Sequence, residues 1–289
     1  MNLLVRINLA LGTALAVAGI ALGYACWSLL QANAAREVGR EAGLMMDSAL
    51  ATRNYTSTEI FPLLVERMKS EFLPQTVPFY AATQNFLKLR EQHPAYTYKE
   101  ATLNPTNPRD RATDWEADII QQFRNDPRMT ELAGERDTAM GRAFYLARPI
   151  HADNECLECH GPASAAPASL LARYGSDNGF GWQPHEIVGA HVVSVPVASA
   201  ASAAAGIFHN IVVAIVMTIV AILLVVNVIV YLLVVKPIRQ IGRIAARLSV
   251  GEPAAEPFPA GGATELSQLS QAFQRLRTSL EKALRLLES

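Results

Sequence analysis

Two long uncharged segments constrain this chain more than any other feature. The first lies between Arg6 and Arg36, and the second runs from Asn210 to Val235. Each exceeds the roughly 20 apolar residues that a helix needs to cross the hydrocarbon core of a bilayer. Because lipid offers the backbone no hydrogen-bond partners, a helix is the natural structure for both. We therefore expect two transmembrane helices in contact with membrane lipid, at residues 1–35 and 207–235.

The first segment also has features of a cleaved signal peptide. Ala32-Asn33-Ala34 resembles a signal-peptidase site, which would remove residues 1–34. Gly23-Tyr24-Ala25-Cys26 resembles a lipoprotein box, but no Leu stands three residues before the cysteine. The apolar stretch is longer than the usual signal-peptide core of about 7–15 residues. We therefore interpret it as an uncleaved anchor.

Basic residues set the expected orientation. Lys236, Arg239 and Arg243 follow the second apolar segment closely, and the positive-inside rule places such residues in the cytoplasm. Residues 36–206 are then expected in the periplasm, outside a bacterial inner membrane. Residues 236–289 are expected in the cytoplasm.

The periplasmic segment has the pattern of an α+β domain. Residues 32–72 are rich in helix formers and are predicted to continue the first span outward as one long helix. A second helix is predicted over residues 112–125. Residues 142–148 and 188–195 read as short strands that end at Pro149 and Pro196, because proline is poorly tolerated within a sheet.

The main chemical motif, Cys156-Leu157-Glu158-Cys159-His160, lies between these strands. Two thiols at this spacing can add to the two vinyl groups of a porphyrin, and the next imidazole can reach the iron. We therefore predict one covalent haem c per chain, with Cys156 and Cys159 as attachment residues and His160 as an iron ligand.

The cysteine pair has three alternative uses. A structural zinc site needs further Cys or His ligands at close spacing, and no second paired cluster is present. A thioredoxin-like dithiol needs a helix after a strand in a βαβ unit, which Pro149 and the polar residues 151–155 do not suggest. A plain disulfide is the remaining alternative in an oxidising compartment.

Several ordered motifs in the periplasmic segment resemble those of the Tll0287-like domain, a family with a PAS-like fold and a c-type haem that recurs as a bacterial sensor module. The resemblance covers roughly residues 36–200. The motifs are Thr52–Thr56, Val77-Pro78, Leu103–Pro108, Ala147–Ile150, Cys156–Gly161, Tyr174-Gly175 and Gly179–Trp182. It implies haem attachment at Cys156 and Cys159, with His160 as the proximal ligand.

The resemblance also suggests a sulfur ligand on the far side of the iron, from the long N-terminal helix. In at least one member that ligand is a cysteine, whereas the spare cysteine here, Cys26, lies in the membrane segment. Met46 and Met45 are the candidates, since a thioether can bind haem iron. Core packing is the alternative for both, and another ligand or an open site is also possible.

Four further residues are candidates for contact with the haem. Arg53 and Arg148 can pair with its propionates, because a guanidinium matches a carboxylate in geometry and charge. Ordinary salt bridges are the alternative. Tyr55 is a candidate for the wall of the haem pocket, as is Trp182, with core packing as the alternative.

Beyond the second span, two amphipathic helices flank a connector at residues 251–263. The second helix carries apolar residues at heptad spacing, which bury their stripe only against partner helices. The stripe comprises Leu266, Leu269, Phe273, Leu276, Leu280, Ala283 and Leu287. This layout resembles a HAMP linker, with Pro237 and Glu265 at matching positions. It implies a cytoplasmic four-helix bundle and a homodimer, and a generic coiled coil is the alternative.

Two functions are compatible with this organisation. The first is a haem sensor of redox state or a diatomic ligand that signals through HAMP to an output protein in trans, since no output segment follows residue 289. The second is a membrane-anchored c-type cytochrome that carries electrons to a partner protein. We expect no enzymatic activity, because no nucleophile triad or phosphate loop is present. The net charge of −1 gives no reason to expect nucleic acid binding.

Overall fold

The structure is a computed structural model that describes residues 3–250 and 265–287. Two compact units comprise residues 27–207, and residues 1–26 together with 208–289. The predicted connector at residues 251–263 lies outside the described residues. The helices are α1 (Leu3–Tyr55), α2 (Phe61–Met68), α3 (Pro78–Gln92), α4 (Asp114–Asn125), α5 (Asn154–His160), α6 (Ala168–Tyr174), α7 (Val197–Val230), α8 (Lys236–Ser249) and α9 (Glu265–Leu287). The strands are β1 (Thr97–Thr102), β2 (Leu132–Thr138), β3 (Gly141–His151) and β4 (Ile187–Pro196).

Two of the helical stretches are long and apolar enough to cross a membrane, at Leu4–Met68 and Val197–Ser249. They contain the two uncharged segments that the sequence marks as spans. The first also carries the predicted outward extension, because α1 passes through a π-helical turn at Thr56–Ile60 directly into α2.

Both π-helical turns in the described chain are followed by a proline. Thr56–Ile60 precedes Pro62, and Tyr231–Val235 precedes Pro237. A proline inside a helix lacks an N–H and its ring crowds the carbonyl four residues earlier. The wider π turn accommodates this, since Phe61 N–H donates to the Thr56 carbonyl five residues back.

The four strands form one antiparallel sheet in the order β1-β4-β3-β2. The two predicted strands are present as β3 and β4, but β3 does not stop at Pro149 and continues to His151. The reason is that β2 pairs with β3 only as far as Ala147. Pro149 therefore lies where β3 has β4 on one side and no strand on the other, a position that tolerates the missing N–H.

Sequence patterns missed α3 and the two edge strands. Helix α3 begins at Pro78, where proline is tolerated because the first-turn N–H groups lack helical partners. Strands β1 and β2 read Thr-Tyr-Lys-Glu-Ala-Thr and Leu-Ala-Gly-Glu-Arg-Asp-Thr. Their charged residues hide the apolar alternation that would mark a strand.

The sheet has a packed layer on each face. Residues of α1 and α3, including Met46 and Phe86, cover one face together with Leu146 and Val193 of the sheet. Helix α4 covers the other face with Ile119, Ile120 and Phe123. Adjacent residues of each strand point to opposite faces, so β3 and β4 contribute to both layers.

In the other unit, α8 and α9 pack through Ile241, Ile244, Leu248 and Phe273. The predicted heptad stripe is divided between two faces of α9. Phe273 faces α8, whereas Leu269 and Leu276 are exposed. The side chains of the other stripe members, at positions 266, 280, 283 and 287, lie outside the described residues.

Candidate functional site

Helix α5 carries the cysteine motif and is separated from the end of β3 by two residues. Ala152 anchors its start, because its N–H donates to the Glu186 carbonyl and its own carbonyl accepts from the His185 N–H, both at 2.9 Å. Cys156 and Cys159 are half-buried free thiols three residues apart on one helix. Residues at this spacing share a helix face, so both Sγ atoms are presented on one side of α5.

His160 ends α5 with its imidazole held from two directions. Its Nδ1 lies 2.6 Å from the Gly179 carbonyl oxygen, which can only accept, so Nδ1 carries the proton and donates. The ring stacks on Trp182, with centroids 4.1 Å apart and 12° between the planes. This tautomer leaves the lone pair on Nε2, as a metal-binding histidine requires.

Two separate loops meet at His160. Thr106 Oγ1 lies 3.5 Å from His160 Nδ1, and the Trp182 N–H donates to the His160 carbonyl at 3.1 Å. Gly179 has φ +82°, and a Cβ there would lie 2.4 Å from Thr106 Oγ1 and 2.6 Å from its N atom. Only glycine satisfies both conditions, so the close approach that brings the Gly179 carbonyl to His160 depends on it.

Burial sets the protonation of the three motif residues. It raises the pKa of the Cys156 and Cys159 thiols, and it lowers the pKa of His160 against the opposing effect of the Gly179 carbonyl. At neutral pH the site therefore holds two neutral thiols and a neutral imidazole. These are the groups that a thioether-linked haem uses.

The structure changes the comparison with a redox dithiol. Contrary to the sequence-based expectation, the cysteine pair does lie on a helix that follows a strand. However, β3 and β4 are antiparallel, so they do not form the parallel βαβ unit of a thioredoxin-like site. Reactive dithiols also need a lowered thiol pKa, whereas burial raises the pKa of both thiols here.

A zinc site receives no support from the described part of the chain. Within residues 3–250 and 265–287, no group of three or more His, Cys, Asp or Glu side chains is placed to hold a metal ion. The donor set of two thiols and one free imidazole nitrogen therefore fits haem attachment better than a closed zinc site.

Arg53 lies beside this site and is held by a buried polar network that sequence analysis did not find. Its guanidinium forms an ion pair with Glu100, whose side chain is 0% exposed. Tyr98 Oη donates to Glu100 at 2.7 Å and lies 3.1 Å from His191 Nδ1. The positive charge of Arg53 acts on the Cys156 thiol, lowering its pKa against the larger effect of burial. The network therefore holds a cation whose electrostatic effect reaches the first cysteine.

Two buried groups of this network are kept neutral. Burial holds the pKa of His191 well below its usual range, and the nearby Arg53 and Arg148 lower it further. Burial also raises the pKa of Tyr98. Arg53 keeps a raised pKa despite burial, because Glu100 opposes the effect of burial, and it therefore stays positively charged. No local sequence pattern indicates Glu100, because its partner Arg53 lies on another element.

The other predicted contact residues lie apart from the motif or have partners within the protein. Arg148 bridges Asp47 of α1 at 2.8 Å and Glu131 at 3.0 Å. Tyr55 is 59% exposed. Close to Tyr55, Ser57 Oγ lies 3.4 Å from the Glu155 carboxylate. The π-helical turn after α1 therefore contacts the helix that carries the cysteines.

The two methionine candidates lie in the layer between α1 and the sheet. Met46 is 0% exposed and belongs to the cluster that contains Ala42, Phe86 and Val193. Met45 packs against the same cluster and is partly buried. Both positions agree with the core-packing alternative.

Comparison with known proteins supports these observations. Residues 31–196, more than half of the chain, match the Tll0287-like family, described as Tll0287. The chain belongs to the Tll0287-like family. Its resemblance motifs at Leu103–Pro108 and Gly179–Trp182 lie on the two loops that meet at His160, and the motif Cys156–Gly161 contains His160 itself. Residues 229–282 match the HAMP domain.

One solved structure is similar to this Tll0287-like chain, the crystal structure of the cyanobacterial heme-protein Tll0287. The two share 20% sequence identity over 40% of this chain and 69% of that chain, with a TM-score of 0.36. No curated protein matches the chain.

Proposed function

We propose that this chain is a membrane-bound c-type haem sensor. It responds in the periplasm to redox state or to a diatomic ligand, and it relays the change through a dimeric cytoplasmic HAMP bundle to an output protein in trans. In this proposal residues 36–206 form a PAS-like haem domain, and the chain has no enzymatic role. Haem supplies, when bound, an iron whose oxidation state or ligation can change.

The observation that carries the proposal is the state of His160. Its Nδ1 donates to the Gly179 carbonyl at 2.6 Å, so Nε2 is free to bind iron, one residue after a half-buried thiol. Cys156 and Cys159 would hold the haem through thioether bonds at their Sγ atoms. Arg53 and Arg148 supply positive charge for the propionates, with Arg53 held beside Cys156 by Glu100.

The contacts around α5 favour a sensor over a simple electron carrier. The helix that carries the cysteines contacts the π-helical turn of the long N-terminal helix through Glu155 and Ser57. Strand β4 continues without a gap into α7, the second apolar helix. Ala152, two residues before α5, donates its N–H to the carbonyl of Glu186, the residue before β4. A change around α5 therefore has a short structural path through β4 to a helix that leads toward the HAMP domain, as a relay requires.

Covalent attachment is tested by haem staining of the full-length protein on a denaturing gel, after expression in a bacterium that matures c-type cytochromes. The wild-type protein is expected to stain at its own mass. The Cys156→Ala, Cys159→Ala double variant is expected to lose the stain, because no thiol remains to hold the porphyrin. Cys26→Ala is the matched control and should stain like wild type. Staining of the double variant would disprove attachment at this motif.

A further inference from the structure

The two apolar helices carry a pair of asparagines that bind each other. Asn8 Nδ2 donates to Asn227 Oδ1 at 2.8 Å, and Asn227 Nδ2 donates back to Asn8 Oδ1 at 2.7 Å. Asn227 Nδ2 also donates to the Leu223 carbonyl of its own helix at 2.8 Å. Each amide therefore both donates to and accepts from the other helix, a reciprocal arrangement that requires one relative orientation of the two side chains.

A second contact fixes the same register at another depth. A Cβ at Gly19 would lie 3.3 Å from Ile219 Cδ1 and 3.4 Å from Ile215 Cγ2, so the helices approach closely there. At a rise of 1.5 Å per residue, Gly19 lies about 16 Å along the helix from Asn8. Ile219 and Ile215 lie about 12 and 18 Å from Asn227 along the second helix. The amide pair and the glycine contact thus belong to one antiparallel register.

The bilayer makes this register selective. Hydrocarbon offers an amide no partner, and polar pairs between membrane helices stabilise their association. A rotation of either helix by one residue, about 100°, would turn its asparagine away from the partner. The π-helical turn Tyr231–Val235 begins about one helical turn after Asn227. It is the first irregular backbone between the amide pair and α8.

We propose that Asn8 and Asn227 form a polar clamp that holds the two spans in one axial and rotational register. The spans then move as a helical hairpin, and α7 does not slide or turn alone within the membrane. Changes of angle that reach α8 are made beyond the clamp, at the Tyr231–Val235 turn. The clamp does not depend on haem or on the signal that the chain senses.

Disulfide formation between the spans measures this register directly. The full-length protein is prepared in native membranes with Cys26→Ser, together with Gly19→Cys and Ile219→Cys. Oxidation with copper phenanthroline is expected to cross-link this in-register pair quickly. A second reporter, Gly19→Cys with Ile222→Cys, places the second thiol on an exposed face of α7 and is expected to cross-link slowly.

The clamp is then removed in both reporters by Asn8→Leu or by Asn227→Leu. We expect the in-register rate to fall fivefold or more and the off-register rate to rise, with the double variant no worse than either single one. Asn8→Gln keeps an amide and should restore much of the in-register rate. Thr13→Val and Thr218→Val are matched controls, because these hydroxyls donate only to Leu9 and Ala214 carbonyls of their own helices.

The clamp would be overturned if both asparagine-to-leucine variants cross-linked at rates within twofold of those of the threonine controls. An equal fall in the threonine variants would also overturn it, since the effect would then reflect general loss of polarity in the spans. Neither measurement uses haem, so the result is separate from that of the haem-staining test.

Discussion

Gly179 shows how one backbone position supports the imidazole of His160. It combines φ +82° with an approach to Thr106 that leaves no room for a Cβ. Gly175 has a similar φ of +76°, but no atom lies within 4 Å of its Cβ position. The two glycines therefore separate the cost of the backbone conformation from the cost of crowding.

We expect Gly175→Ala to lower the free energy of unfolding by about 1–3 kcal/mol, because its φ of +76° and ψ of −170° lie in a region that is essentially restricted to glycine. Gly179→Ala should cost more, because the Thr106 loop or the 179–182 loop must also move. Thermal unfolding of the full-length protein in detergent measures both. Equal losses in the two variants would contradict the close packing of Gly179 against Thr106.

The stability of the domain is expected to depend on pH through Asp110, an acidic residue outside the cysteine motif. Burial raises its pKa to about 6 from an ordinary value of 3.8, and Arg109 only partly opposes this. Because the folded pKa is the higher one, the folded state binds more protons between these two values. Stability should therefore fall as pH rises from about 4 to 6 and stay at the lower level above that range.

Asp110→Asn is expected to remove this loss and to stabilise the protein at pH 7 by roughly 2–3 kcal/mol, as the size of the shift implies. Unfolding temperatures measured from pH 4 to pH 7.5 test this. Asp118→Asn, on the exposed surface of α4, is the control and should keep the wild-type pH profile. If the unfolding temperature of Asp110→Asn varied with pH in parallel with that of the wild-type protein, another group would cause the pH dependence.

The site residues that could be predicted from the sequence are neighbours in the chain. Cys156, Cys159 and His160 form one local motif, and its spacing alone indicates the chemistry. Glu100 could not be predicted from the sequence, because a buried carboxylate is recognisable only from its partners, which lie on α1 and β4. The same limit applies to the Gly179 carbonyl, whose role depends on the path of a separate loop.

At the scale of elements, Pro149 shows why a sequence rule failed. Proline was expected to end β3, but the strand continues because only β4 flanks it at that point. N–H groups of alternate residues in an antiparallel strand face the same neighbour. Ala147 pairs with Leu132 of β2. Its N–H therefore points to the same side of β3 as the N–H that proline lacks at position 149.

This geometry predicts opposite outcomes for two proline changes in β3. Pro149→Val should change the free energy of unfolding by less than about 1 kcal/mol, because the regained N–H meets no strand. Ala147→Pro should destabilise by about 3 kcal/mol or more, since it removes a bond to β2 and crowds a fully buried position. Chemical denaturation of the full-length protein measures both. A large loss of stability in Pro149→Val would show that the proline itself stabilises the sheet.

At the scale of the whole molecule, the membrane spans and the amphipathic helices were the most predictable features. Their signals are repeated over many residues, so no single contact decides them. The heptad stripe of α9 was predicted as one face, yet α8 takes Phe273 while Leu269 and Leu276 stay exposed. The pattern could not show this division, because it does not reveal which apolar residues α8 covers. The exposed leucines, one heptad apart, are the surface that the proposed homodimer would bury.

The sensor and the electron carrier differ in what this surface should do. Leu276 is 66% exposed, and a cysteine there should cross-link two protomers if α9 pairs with its counterpart. In a sensor, oxidising and reducing the haem changes the HAMP bundle, so the rate of Leu276→Cys cross-linking by a thiol-specific bifunctional reagent should differ severalfold between the two states. Gln274→Cys lies on the opposite side of α9 and should cross-link slowly in both. Equal rates for Leu276→Cys in both states, with haem staining intact, would reject redox signalling and favour the cytochrome.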